Sequence, residues 1–187
     1  MNKRFTIIFT LFLLIITSCK STKAVKPVYI TNEKSISLLD LSSSGAPIDC
    51  FQLMTASFEG HGEFTAEVFL KSDSDILALV AMTPTGQTLA DISYDGNMVN
   101  FQSSFIPTGS FRAEYILADI QFAYYNIEDI EKELIANGLV FKYGEDKKGT
   151  YREILDNNEI IWKATYNKSH LSVKNYLRKY NYEMEML

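Results

Sequence analysis

The stretch Phe64-Thr65-Ala66-Glu67-Val68-Phe69-Leu70-Lys71 repeats its apolar residues with a period of two. Because successive side chains of a strand point to opposite faces, its first, third, fifth and seventh residues share one face. Gly60 and Gly62 precede the stretch, and the polar residues 72–75 follow it. The pattern therefore predicts a β-strand between two turns, with one face turned toward an apolar interior.

Further strands are predicted on both sides of this one. Residues 76–82 form an unbroken apolar run, which predicts a strand buried on both faces. Asp95-Gly96-Asn97 separates two short apolar segments and predicts a hairpin. The predicted strands cover residues 51–58, 64–71, 76–82, 88–94 and 98–102, and then 139–143, 150–155, 159–166, 170–177 and 180–186.

Between the two groups of strands the apolar period becomes helical. Residues 111–125 contain neither Gly nor Pro, and Ser110 can cap a helix there. Asn126 can cap a second helix over residues 127–136, which Gly138 would end. The order predicts a mainly β fold with two helices, in which short connections favour antiparallel meanders. Because a sheet of about ten strands curls strongly, we expect an open antiparallel β-barrel with the helices as a lid or plug on its concave face.

An apolar cavity inside that barrel should be lined from both parts of the chain. The first stretch contributes one face, the hairpin contributes inward residues from its two strands, and the first helix contributes one stripe. The predicted lining residues are Phe64, Ala66, Val68, Leu70, Ala90, Ile92, Tyr94, Val99, Phe101, Tyr115, Ala118 and Phe122.

The first nineteen residues have the features of an export signal. Lys3 and Arg4 precede a 12-residue run, residues 5–16, that is apolar except for two Thr. A basic segment, a short apolar segment and small residues before a cleavage site are typical of a secretory signal peptide, and the run is too short to cross a bilayer comfortably. Ile16-Thr17-Ser18-Cys19 resembles the bacterial lipobox, in which the Cys receives the lipid.

This interpretation divides the chain into a signal peptide at residues 1–18, a lipidated Cys19 with a flexible tether at 19–47, and the barrel domain at 48–187. Residues 20–23 contain no acid, and by resemblance to known sorting rules such a lipoprotein goes to the outer membrane, facing the periplasm. Cys50 then has no disulfide partner, and it is expected to be a buried or partly buried small hydrophobe or, alternatively, a reactive thiol. The alternatives for the N-terminus are an uncleaved anchor or an ordinary secreted protein.

The sequence lacks the patterns of common catalytic and metal sites. The formal net charge of −5, without a basic cluster, disfavours nucleic-acid binding. Two Cys and two His, none at ligand spacing, predict no metal and no cofactor. No Ser lies in a G-x-S-x-G turn, and the carboxylate pairs Asp73/Asp75 and Glu183/Glu185 are expected to be solvated. We therefore predict that the chain is not an enzyme. Trp162 is expected in the core or, alternatively, at a ligand.

Three segments follow the motifs of one family: residues 81–96 follow P-x-G-Q-x-L-x-x-x-x-Y-D-G, residues 112–123 follow the helix P-E-Y-L-L-A-D-L-Q-L-A, and residues 175–184 follow its C-terminal strand, with Lys179 in place of a Gly. In these segments the chain resembles a group of bacterial lipoproteins of unknown function, often encoded with aryl-polyene lipid biosynthesis genes. The group is similar to the lipoprotein-localisation factors LolA and LolB, which implies an open barrel with a cavity for acyl chains. The tip Pro84-Thr85-Gly86 departs from the LolB loop, because Thr85 replaces the large apolar residue that enters the membrane.

The resemblance implies an outer-membrane lipoprotein that binds an acylated or polyene lipid, or the acyl chains of lipoproteins, for transfer to or within the outer membrane. Its expected partners are lipid, the membrane through the lipid anchor, and an unidentified envelope transport protein. The alternative is a structural or adaptor lipoprotein with a filled core that docks on an envelope assembly.

Overall fold

The computed structural model describes residues 25–60, 62–103 and 112–187. The predicted signal peptide, Cys19 and the Ser110 cap lie outside these residues. The helices are α1 (Ala113–Tyr124) and α2 (Ile127–Ala136). The strands are β1 (Val28–Tyr29), β2 (Ser35–Ile36), β3 (Ile48–Phe58), β4 (Gly62–Ser72), β5 (Leu77–Met82), β6 (Thr88–Tyr94), β7 (Val99–Gln102), β8 (Val140–Asp146), β9 (Gly149–Asp156), β10 (Glu159–Asn167), β11 (His170–Asn175) and β12 (Tyr180–Met186).

Ten strands form one antiparallel sheet in the order β7-β6-β5-β4-β3-β12-β11-β10-β9-β8. Each half is a meander, and β12 pairs with β3 to join the two halves at the centre. Among the described residues β7 and β8 are the two edges, and the sheet is not closed into a barrel. The prediction of a mainly β fold with two helices and a large antiparallel sheet is confirmed.

One face of the sheet packs against α1 and is called the inner face. Along β4 the buried residues alternate with more accessible ones, as the period of two predicted. The same alternation runs along β5, where Leu77 and Leu79 are buried and Ala78 and Val80 are half-buried. The prediction that this segment is buried on both faces is therefore wrong. The described helices cover the inner face, and the side chains of the other face are more accessible.

The two helices differ in how they are covered. Helix α2 has the predicted bounds and buries Ile130 and Leu134, while Ile135 is exposed. Helix α1 begins at Ala113 and is buried on nearly all sides, including the polar Asp119 and Gln121. Asn126 does not cap α2 with its side chain.

A segment before the sheet provides the second cover for α1. Residues 25–47, called the strap, bury Val28, Ile36 and Leu38 in the core. The Gln121 side chain accepts from the Leu39 N–H at 2.9 Å and donates to the Leu39 carbonyl at 3.0 Å. The expectation of a flexible tether over 19–47 therefore does not describe residues 25–47, which are packed on the domain.

Candidate functional site

The register gathers the predicted lining residues of the strands on the inner face. Val68 and Leu70 of β4 share this face with Ile92 of β6 and, through it, with Phe101 of β7. The eight of the predicted set that are at most 7% exposed are Ala66, Val68, Leu70, Ala90, Ile92, Tyr94, Ala118 and Phe122. Val99, Phe101 and Tyr115 are half-buried.

Phe64 lies on the same face but is 42% exposed. Its ring stacks on that of Phe58, with centroids 6.0 Å apart and an interplanar angle of 2°. The Phe58 ring in turn lies 5.9 Å from that of Tyr180. These three aromatic side chains form a row that runs along the inner face from the exposed end of β3 and β4 toward the core.

The row ends at a small cavity between α1, the strap and β10. Tyr115, Ala118 and Phe122 of the predicted set line it, together with Trp162 and Val28. Its volume is about 10 Å³, which is close to the smallest space that holds one water molecule. Among the described residues, this cavity thus has no room for an acyl chain.

Asp119 lies in the wall of this cavity. Its carboxylate accepts from Trp162 Nε1 at 2.8 Å and from the Tyr180 hydroxyl at 2.5 Å. Burial raises the pKa of Asp119 to about 7, although both donors and the nearby Arg178 favour the charged form. Trp162 is 2% exposed, so it lies in the core as expected and also orients Asp119.

Asp119 is a residue that the interpretation of the sequence missed. It lies within a segment of α1 that matched the family pattern, next to the predicted lining residue Ala118. The pair Asp119 and Gln121 inside a largely apolar helix could have indicated a buried polar cluster, since buried polar groups require partners. The identity of those partners depends on strands that lie more than 40 residues away.

Two open clefts also lie on the inner face, beside the C-terminal end of α1. One, of about 600 Å³, lies between Tyr124, Ile127 and strands β8 to β10. The other, of about 370 Å³, is lined by Cys50, Gln52 and Leu171, among others. Tyr124 and Tyr166 line both clefts, and together the two clefts are called the inner groove. Small-molecule sites usually have volumes of 300–1,000 Å³.

Three polar side chains of the groove, Arg152, Tyr166 and Gln52, bond to α1 or to its last residues, while charged residues such as Asp49, Glu145 and Lys168 also line it. Arg152 donates to the carbonyls of Phe122 and Tyr125 at 3.0 and 2.8 Å, which satisfies the C-terminal end of α1. The Tyr166 hydroxyl donates to the Ala123 carbonyl. Gln52 donates to the Tyr124 hydroxyl at 3.3 Å, but its own buried Oε1 has no hydrogen-bond partner among the described residues. Gln52 is only 3% exposed, so this unpaired acceptor lies beneath the surface of the groove.

The remaining reactive groups have ordinary structural environments. Burial, with a smaller effect of Asp49, raises the pKa of the half-buried Cys50 thiol, so the thiol stays protonated at neutral pH. Asp73 accepts from the N–H groups of Asp75 and Ile76 at 2.9 and 3.0 Å in a turn, and these bonds lower its pKa. Within the described ranges no three His, Cys, Asp or Glu side chains are grouped to hold a metal ion.

The described residues contain no helix that is long and apolar enough to cross a membrane. A comparison with curated proteins finds no match. The model of one family, described as "Protein of unknown function (DUF3261)", matches residues 50–187, which include all ten strands of the main sheet except the start of β3. Since this match spans well over half of the 187 residues, the chain belongs to that family.

Proposed function

We propose that this chain is a non-enzymatic, lipid-anchored protein of the outer membrane, facing the periplasm, that binds an acyl chain for transfer to or within that membrane. In this proposal the fold is of the LolA and LolB kind. An open antiparallel sheet with a helix on its inner face supports this assignment. The N-terminal signal and lipobox support the anchor.

The observation that carries the lipid-binding role is the inner groove. Its two clefts meet at Tyr124 and Tyr166, and its lining is mostly apolar. An acyl chain gains about 0.8 kcal/mol for each buried CH₂ group, so a groove of this size provides affinity without charged partners. The groove is open as it stands, whereas access to the predicted lining residues around Val68 requires α1 to move.

A variant that fills the groove tests this role. Replacing Cys50 by Trp is expected to lower the affinity for a fluorescent fatty acid at least fivefold with little change in melting temperature, because Cys50 is half-buried in the groove wall. Phe51→Trp is the control, since Phe51 follows Cys50 in the strand, points to the outer face and is 51% exposed. Equal affinity of wild type and Cys50→Trp for the fatty acid would contradict binding in the inner groove.

Val68→Trp distinguishes the groove from the closed interior. Val68 is fully buried, and overpacking such a position costs about 1–3 kcal/mol. If Val68→Trp instead keeps its stability and loses fatty-acid binding, the chain binds lipid in the interior lined by the predicted set.

The fully buried Val68 and Leu70 and the 10 Å³ cavity favour the alternative function as well. A filled core suits a structural or adaptor lipoprotein that docks on an envelope assembly. Mass spectrometry of lipids that copurify with the chain separates the two functions: a bound acyl lipid supports the carrier, and its absence supports the adaptor.

The lipid anchor is tested at the two cysteines. Replacing Cys19 by Ser is expected to leave an unprocessed precursor that no longer incorporates a fatty-acid label. Cys50→Ser, the matched control, should incorporate the label as wild type does. Labelling of the Cys19→Ser chain in cells would contradict the lipobox interpretation.

A further inference from the structure

One end of the main sheet concentrates exposed apolar and basic side chains. The turn between β11 and β12 exposes Tyr176 at 43% and Leu177 at 41%. The neighbouring turn after β3 is held to it by the Glu59 N–H, which donates to the Lys179 carbonyl at 3.0 Å. The exposed Phe58 and Phe64 flank that second turn. The basic end of the sheet is defined by Phe58, Phe64, Lys174, Tyr176, Leu177 and Lys179.

The turn between β11 and β12 is more basic than the chain as a whole, while the neighbouring turn region carries Glu59 and Glu63. The seven residues 174–180 include Lys174, Arg178 and Lys179 and no acid, although the formal net charge of the chain is −5. Lys174 lies 4.8 Å from the centre of the Tyr176 ring. Lys179 pairs with Glu59 at 2.7 Å, but both side chains are more than 60% exposed, and such pairs contribute little. Aromatic and basic side chains together are typical of surfaces that lie at a lipid interface.

The N-terminal segment reaches the domain at the same end. Arg178 donates to the Tyr29 carbonyl at 2.5 Å, and Arg112 donates to the Pro27 carbonyl at 2.8 Å. The six residues of chain from position 19 to Val25 span at most about 20 Å. A lipid on Cys19 would therefore hold this end of the sheet close to the bilayer.

We propose that the basic end of the sheet is a docking surface for a bilayer with anionic headgroups. The orientation part of this inference rests on the proposed Cys19 anchor, whereas the docking itself does not. Tyr176 and Leu177 enter the interface, and Lys174 and Lys179 contact the headgroups. The aromatic row Phe64, Phe58 and Tyr180 then begins at the membrane.

Vesicle sedimentation of the chain from Lys20 to Leu187, which contains all described residues, tests the docking surface without the anchor. The vesicles are either phosphatidylglycerol-rich or pure phosphatidylcholine. Replacing Tyr176 and Leu177 together by Ser is expected to lower the partition coefficient about tenfold. Replacing Lys174 and Lys179 by Gln should lower it about 25-fold on the anionic vesicles only, since each basic residue near an anionic surface contributes about fivefold.

The chain offers a matched control at the other end of the sheet. Phe51 and Leu187 are 51% and 73% exposed and adjacent, because the Leu187 N–H donates to the Phe51 carbonyl at 3.2 Å. Replacing both by Ser should leave vesicle binding unchanged. An equal loss in this control would overturn the proposal, because the binding would then follow general exposed hydrophobicity.

Cys50→Trp separates docking from lipid uptake. This variant fills the groove and is expected to sediment with vesicles as wild type does. If it no longer sediments, the vesicle signal comes from lipid entering the groove, and the docking surface is disproved. If it sediments normally and wild type binds no fatty acid, docking stands while the carrier function fails.

Discussion

Replacing Asp119 by Asn is expected to remove a large part of the pH dependence of stability. The folded-state pKa of about 7 lies above the ordinary value of 3.8, so the folded protein holds a proton that the unfolded chain releases between these pH values. The stabilisation of the folded state by this proton is fully present below about pH 4 and is lost as the pH rises to about 7. The difference of about three pKa units corresponds to about 4 kcal/mol.

Urea unfolding of both proteins at several pH values between 4.5 and 8 measures this effect. At pH 4.5 the two free energies of unfolding should be similar, because an Asn can accept from Trp162 and donate to the Tyr180 oxygen. Between low pH and pH 8, the free energy of unfolding of the Asn variant should rise relative to that of wild type by up to about 4 kcal/mol. The exposed Asp91 provides the control, as Asp91→Asn tests the removal of a surface carboxyl.

Asp119→Leu completes the comparison. It leaves the Trp162 N–H and the Tyr180 hydroxyl without their acceptor, and each buried unpaired donor costs about 1–3 kcal/mol. The Leu variant should thus be destabilised at low pH, where the Asn variant is not. Parallel pH profiles for wild type and Asp119→Asn would show that Asp119 is ionised in the folded state throughout.

The strands could be predicted from the sequence because their signals are local. The period of two over β4 and the turn residues around Gly96 and Gly138 lie within a few residues of the structure that they determine. Helix α2 has its predicted bounds for the same reason. Phe64 falls on the predicted face, but the sequence does not indicate where the cover of that face ends.

The strap and the Asp119 cluster depend on contacts between distant parts of the chain. The five polar residues 31–35 interrupt the apolar residues of this segment, so no regular period of two or of 3.6 marks Val28, Ile36 and Leu38 as core residues. Their burial depends on distant elements: Val28 lines a cavity with Ala118 of α1 and Trp162 of β10, and the Ser37 N–H donates to Glu133 of α2 at 3.3 Å. The Lys34 ammonium, for example, pairs with Asp156 at 2.5 Å, 122 residues further along the chain.

The packed strap leads to the second large expected effect. Replacing Ile36 by Ala should lower the free energy of unfolding by about 2–4 kcal/mol, because Ile36 is 3% exposed and the change leaves a cavity in the core. Glu33→Ala, at an exposed position three residues earlier, is the control and should change stability by less than about 0.5 kcal/mol. A flexible tether would give no effect at either position. If both variants unfold like wild type in urea, residues 25–47 do not pack on the domain in solution, and the small cavity beside Asp119 is then open to solvent and to a ligand.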